Sequence, residues 1–136
     1  MLTLLVTLSL LPGPVWTLTH ITPAGQAGFV LGPRVSPPRL NVPMTGTPGS
    51  RTLEVTGTTG CSPLKAHMTL RGTAVRFTAI HAGTTERCPD HALSLREDFL
   101  RLLTGATRYE RRGDTLMLSG LAGQLTFTAR PAQAQP

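Results

Sequence analysis

From Arg51 onward, apolar side chains fall on every second residue in short runs, and glycine-containing stretches separate those runs. Leu53 and Val55 alternate with Thr52, Glu54 and Thr56. Met68 and Leu70 form the next run, Val75, Phe77 and Ala79 the third, Leu116 and Leu118 the fourth, and Leu125, Phe127 and Ala129 the last. A period of two places alternate side chains on opposite faces of a strand, so each run reads as a strand with one buried face. Gly57-Thr58-Thr59-Gly60, Arg71-Gly72, Arg112-Gly113-Asp114 and Gly120–Gly123 read as turns between them. Strands joined by such short links pair as hairpins.

The alternation breaks once. Between Asp90 and Thr104, Leu95, Phe99, Leu102 and Leu103 recur at helical offsets, with Leu93 nearby. Two N-terminal caps are open to this helix: a capping box of Ser94 and Glu97, or Asp90 just after Pro89. Gly105 stands where a glycine would end it. Tyr109 then opens another strand. Glycine and proline are densest between Pro12 and Gly49, so that third reads as loop, with extended pieces at Trp16–Ile21 and Arg39–Val42.

Several strands, one helix and a final hairpin give a mainly β member of the α+β class. The economical architecture is a small curved antiparallel sheet, or a barrel-like domain, with the single helix plugging or flanking it. At 136 residues the chain holds one ordinary domain. An eight-stranded closed wall is not expected. Trp16, Phe77, Phe99 and Phe127 therefore read first as core, and a cavity lined by them that carries a small apolar ligand is the secondary reading.

Residues 1–15 read as an apolar leader, 16–130 as the domain and 131–136 as a disordered tail. Leu2–Leu11 has the length of a signal-peptide h-region and is too short to span a bilayer. No Lys or Arg precedes it and no Ala-x-Ala cleavage site follows, so a hydrophobic first strand is the competing reading. Export would place the chain in the periplasm, the envelope or outside the cell; without it the chain is cytoplasmic. The two cysteines, Cys61 and Cys88, are even in number and far apart. In a small exported domain they pair by default, and in the cytosol they stay free thiols. Closing a loop of about 28 residues stabilises by roughly 3–4 kcal/mol on chain-entropy grounds.

The net charge is +6, and twelve of the thirteen basic residues are Arg. Scattered arginines, no five-residue basic block and 4% aromatic content argue against a nucleic-acid module. The chain carries no nucleophile elbow, phosphate-binding loop or zinc-protease motif. A thiol nucleophile would need a feature that lowers its pKa, and no C-x-x-C is present. Cys88 with His91, and Cys61 with His67, could hold zinc, but a disulfide would consume both thiols. His20 and His81 complete the histidines and suggest no site. Glu97 and Asp98 are adjacent and point to different helix faces, so they make no acid–base pair. No catalytic residue, cofactor or metal ligand is assigned, and a monomer is expected.

The segments Gly57-Thr58-Thr59-Gly60-Cys61-Ser62, Leu70-Arg71-Gly72 to Phe77, Thr85-Glu86-Arg87-Cys88 and Glu97-Asp98-Phe99-Leu100 to Leu103 occur in that order. Tyr109, Gly113-Asp114-Thr115-Leu116-Met117-Leu118 and Leu125-Thr126-Phe127 follow. Together they resemble the motifs of the META domain family, the HslJ-like proteins. Trp16-Thr17-Leu18 is similar to that family's opening W-x-L strand. Ser62 stands where the family usually has Asn, and the helix Glu lies one residue closer to the Phe. The resemblance marks Trp16, Gly57, Gly60, Cys61, Ser62, Cys88, Phe99, Tyr109, Gly113, Leu116 and Phe127 as family positions. It implies a small β-rich domain with one helix, envelope-associated or secreted in bacteria and linked to stress responses. No established catalytic activity comes with it, and the implied partner is a protein or an envelope component.

Overall fold

The computed structural model describes residues 15–32, 35–42 and 51–130. The leader expected at 1–15, apart from Val15, and the tail at 131–136 lie outside the described residues. Among the described residues nine strands and one helix follow in the order β1 (Val15–Pro23), β2 (Phe29–Val30), β3 (Arg39–Asn41), β4 (Arg51–Thr58), β5 (Pro63–Arg71), β6 (Ala74–Ala82), α1 (Asp90–Thr104), β7 (Ala106–Arg112), β8 (Thr115–Gly120) and β9 (Gly123–Arg130). All pairings are antiparallel and run in chain order from β3 to β9. The wall then closes, because β1 pairs with β9 from Val15↔Arg130 to Pro23↔Gly123. On its other edge β1 pairs with β3 through Val15–Thr17 and with the short β2 through His20 and Ile21.

This is an eight-stranded closed antiparallel barrel with one helix, the barrel-like form of the expected mainly β domain, and the closure of the wall by eight strands is the part that departs from expectation. The extended pieces expected at Trp16–Ile21 and Arg39–Val42 are the wall strands β1 and β3. β1 alternates buried Trp16 and Leu18 with half-buried Thr17 and Thr19, and β3 places Leu40 inside between exposed Arg39 and Asn41.

The helix spans the expected residues and buries Leu95, Phe99, Leu102 and Leu103. Full burial of each such side chain contributes about 1.5–3 kcal/mol before entropic costs. Phe99 meets Phe127 of β9 edge to face, with centroids 6.3 Å apart. Pro89 occupies the N-cap position and no side chain caps the helix, so neither the Ser94–Glu97 box nor Asp90 fills that role. Asp90 instead lies in the first turn, where a carboxylate suits the positive end of the helix dipole.

Four local expectations shift. Gly57 and Thr58 belong to β4, and the turn begins at Thr59. Gly57 is required there because a Cβ would collide with the Arg39 carbonyl of the neighbouring strand. Gly105 has φ −87°, so it ends the helix without a left-handed residue. A Cβ on it would press on Ala122 at 3.2 Å, which makes its small size a packing requirement. β7 opens at Ala106, with Tyr109 inside it. Ala79 points outward with φ +50°, at a bulge where the β5–β6 register slips between Lys65↔His81 and His67↔Thr78. The extra residue inverts the phase, so Ile80 and Ala82 pack against the core instead.

Candidate functional site

The hairpin registers give the barrel two unlike ends. One holds the β4–β5 turn, the approach to α1 and the β8–β9 turn. There Cys61 and Cys88 are joined in a disulfide with Cα atoms 5.2 Å apart. The bond ties the β4–β5 turn to the segment leading into α1. Around it, the Thr59 amide donates to the Ser62 carbonyl (2.8 Å), the Ser62 amide donates to Thr59 Oγ1 (3.1 Å), and the two hydroxyls share a hydrogen bond of 2.7 Å. Both side chains are buried. Arg96 of α1 donates through Nε to Ser62 Oγ and through Nη2 to the Gly83 carbonyl, each at 3.3 Å. Gly60 takes φ +108°, and a Cβ on it would lie 2.6 Å from the Ser36 carbonyl. Thus Gly57, Gly60, Cys61, Ser62 and Cys88 converge on one construction that fastens helix to wall. Ser62, standing in for the family's Asn, serves it by bonding both the turn and Arg96.

The opposite end gathers the start of β1, the end of β3, the end of β5, the end of β7 and the start of β8. It encloses a cavity of about 350 Å³ lined by Trp16, Val42, Met68, Leu70, Tyr109, Leu116 and Leu118, with Arg111 at its edge. These strands put their inward positions there because each alternates in register with its neighbour: Met68↔Phe77, Tyr109↔Leu118 and Trp16↔Leu40 are facing pairs. The Arg111 guanidinium lies over the Trp16 indole, 5.2 Å from its centroid, and its Nε donates to the Gly113 carbonyl at 3.3 Å. A cation over an indole face is held by the ring quadrupole. Gly113, at φ +56°, makes the β7–β8 turn that brings Arg111 and Leu116 to this rim.

Family positions therefore divide between the two ends, and Phe99 and Phe127 meet in the core between them. In the sequence Arg111 is one of the scattered arginines, and nothing there singles out Val42, Met68 or Leu70 as cavity residues. Alternation marked several of these as inward-facing. Their common rim depends on strand pairings distant in sequence, which a local pattern does not contain.

The histidines do not assemble a site. His67, His81 and His91 are exposed, and His20 shares a hydrogen bond of 3.0 Å with Thr19 Oγ1. The thiols that would join His67 and His91 are bonded to each other. Among the described residues, no three His, Cys, Asp or Glu side chains come together as a metal site. Asp98 pairs with Arg101 at 3.0 Å and Glu97 is exposed on α1. No helix among the described residues is long and apolar enough to cross a membrane.

A family model described as META domain matches residues 9–132. No curated protein matches the sequence. A solved structure described as the NMR structure of the protein from Burkholderia xenovorans is similar, with a TM-score of 0.65 and 18% identity. The alignment covers 92% of this chain and 87% of that one, and shows a shared fold.

Proposed function

The chain belongs to the META domain family, and from that premise we propose that it is a non-catalytic domain of the cell envelope, the periplasm or the exterior that supports stress tolerance by binding a protein or envelope component. The META domain is not a known enzyme family. The observation that carries the compartment is the Cys61–Cys88 bond, which fastens the plugged end of a small barrel and persists only where the surroundings are oxidising. The mature chain begins near Trp16 after loss of the leader. Since β1 starts at Val15, such processing removes one paired residue and leaves the barrel closed. The domain acts as a monomer.

Fractionation of cells making the full chain tests this. Thiols are counted under denaturing, non-reducing conditions and the N-terminus is sequenced. The expected result is extracytoplasmic protein with no free thiol, starting near residue 16. A cytoplasmic product with two free thiols and residues 2–11 retained overturns the reading. Deletion of the gene should lower survival under heat or envelope stress, and unchanged survival removes the stress assignment.

A second reading has its own support. The closed wall and the apolar cavity at its open end favour a carrier of a small apolar ligand. Saturable binding of such a compound by the purified protein tests it.

A further inference from the structure

The open end of the barrel is asymmetric in charge as well as in packing. Arg71 and Arg112 end β5 and β7 at this rim, next to Arg111. By backbone register Arg51 and Arg130 stand at the same rim, opposite Leu70 and Val15. The rim's acidic residues are Glu110, which is paired with Arg112 at 2.7 Å, and Asp114. Four of the seven carboxylates, Glu86, Asp90, Glu97 and Asp98, lie at the helix end instead. The cavity thus has apolar walls and a rim with more arginines than carboxylates, while the four carboxylates at the helix end are largely offset by Arg87, Arg96 and Arg101 beside them.

From this juxtaposition we infer that the cavity takes a medium-chain carboxylate, with the alkyl chain between Trp16, Met68 and Leu118 and the carboxylate at the Arg111 rim. The inference rests on the carrier reading and adds the ligand class. A volume of about 350 Å³ is at the lower end of small-molecule pockets, about 300–1,000 Å³. It accommodates roughly ten to twelve heavy atoms at the ~30 Å³ that a water-sized group occupies. The walls offer alkyl and aromatic contacts along almost their whole length, which suits a chain better than a polar ring. A guanidinium presents several donors in a fork that matches a carboxylate, and the indole beneath Arg111 fixes the plane of that fork. Arg71 and Arg112 beside it add a field that draws an anion toward this end.

Trp16 is the only tryptophan in the chain and lines the cavity, so its emission reports on this site. The full chain is titrated with sodium decanoate below its micelle concentration and with 1-decanol, and binding is followed by Trp16 fluorescence and by calorimetry. Decanoate should bind saturably at one site, about tenfold more tightly than decanol, because a charge-assisted hydrogen bond is present only for the acid. Arg111→Gln should weaken decanoate about tenfold, to the level that decanol shows with the unaltered chain, and a variant that binds decanoate as tightly as the unaltered chain overturns the placing of the carboxylate at Arg111. Met68→Phe, which narrows the cavity with little effect on folding, should weaken both, with far-UV circular dichroism confirming the fold of each variant. Equal binding of the two compounds by the unaltered chain overturns the carboxylate inference and leaves the carrier reading standing. Binding of neither overturns both. A Trp16 shift with phosphatidylglycerol-containing vesicles, absent with decanoate, also overturns the inference and makes the rim a membrane-docking surface.

Discussion

At the scale of single residues, two positions with opposite responses define how tightly this chain is specified. Phe99 is fully buried and meets Phe127 edge to face. Phe99→Ala should cost about 3–5 kcal/mol in chemical denaturation, since it removes a ring and leaves a void between helix and wall. Leu121 is 96% exposed at the β8–β9 turn, and Leu121→Ala should change stability by less than about 0.5 kcal/mol. Similar costs for the two would contradict this placement of the core. Ala79 behaves in the reverse sense, because its φ of +50° is a conformation that costs an L-residue about 1–2 kcal/mol. Ala79→Gly relieves that strain against a glycine entropy cost of about 0.5–1 kcal/mol, so it should stabilise by about 0.5–1 kcal/mol. A strand glycine that destabilises, as it does elsewhere in a sheet, would show that the bulge is absent in solution.

Among the elements, the joint between β6 and β7 has the shortest ladder in the wall. These strands share the single register pair Ala74↔Arg108, with the Tyr109 amide donating to the Thr73 carbonyl at 3.0 Å, whereas β4 and β5 pair over eight positions. The helix is inserted between β6 and β7 in the chain, so the two strands arrive from different ends of the barrel and overlap briefly. In native-state hydrogen exchange, the Arg108 and Tyr109 amides should exchange at a lower opening free energy than those of Val55 and Ala66 in the β4–β5 hairpin. Equal protection at both places would show that the wall opens only as a whole. The same contrast explains what the sequence could reveal. The hairpins from β4 to β9 were legible because alternation and turn residues are local, and α1 was legible because four apolar residues keep helical spacing. The bulge at Ala79 was not legible, since nothing in Phe77-Thr78-Ala79-Ile80 distinguishes a slip of phase from continued alternation. In the first third the extended pieces at Trp16–Ile21 and Arg39–Val42 are β1 and β3, and what the local pattern omits is their place in a closed wall: β3 is three residues long, and its membership in the wall is set by β1 and β4 on either side. The cavity was hidden by the same omission, as Val42 and Trp16 become part of a rim only once β1 and β3 are in the wall.

On the scale of the whole molecule, closure is made by the two ends of the described chain, because β1 and β9 lie farthest apart in sequence and pair over nearly their full length. Such a contact is late and slow to form, since the loop-closure entropy of the intervening chain must be overcome before it contributes. The Cys61–Cys88 bond works on a different part of the problem: it shortens the path between the β4–β5 turn and α1, and it leaves the β1–β9 seam to be held by its hydrogen-bond ladder and its packing. Leu18 and Phe127 face one another across that seam, both almost fully buried, and α1 packs on the same two strands through the Phe99–Phe127 contact. Seam and helix therefore stabilise each other. Thermal unfolding should accordingly be a single transition. Trp16 lies in the closing strand, so its fluorescence reports the seam, and far-UV circular dichroism reports all strands and the helix. The two midpoints should coincide in the oxidised protein. Reduction of the disulfide should lower both together, by an amount matching roughly 3–4 kcal/mol of lost chain constraint. An earlier fluorescence transition would mean that β1 leaves β9 while the remaining sheet and α1 persist, and the helix would then be anchored by the β6 contact and the disulfide in place of the closed wall.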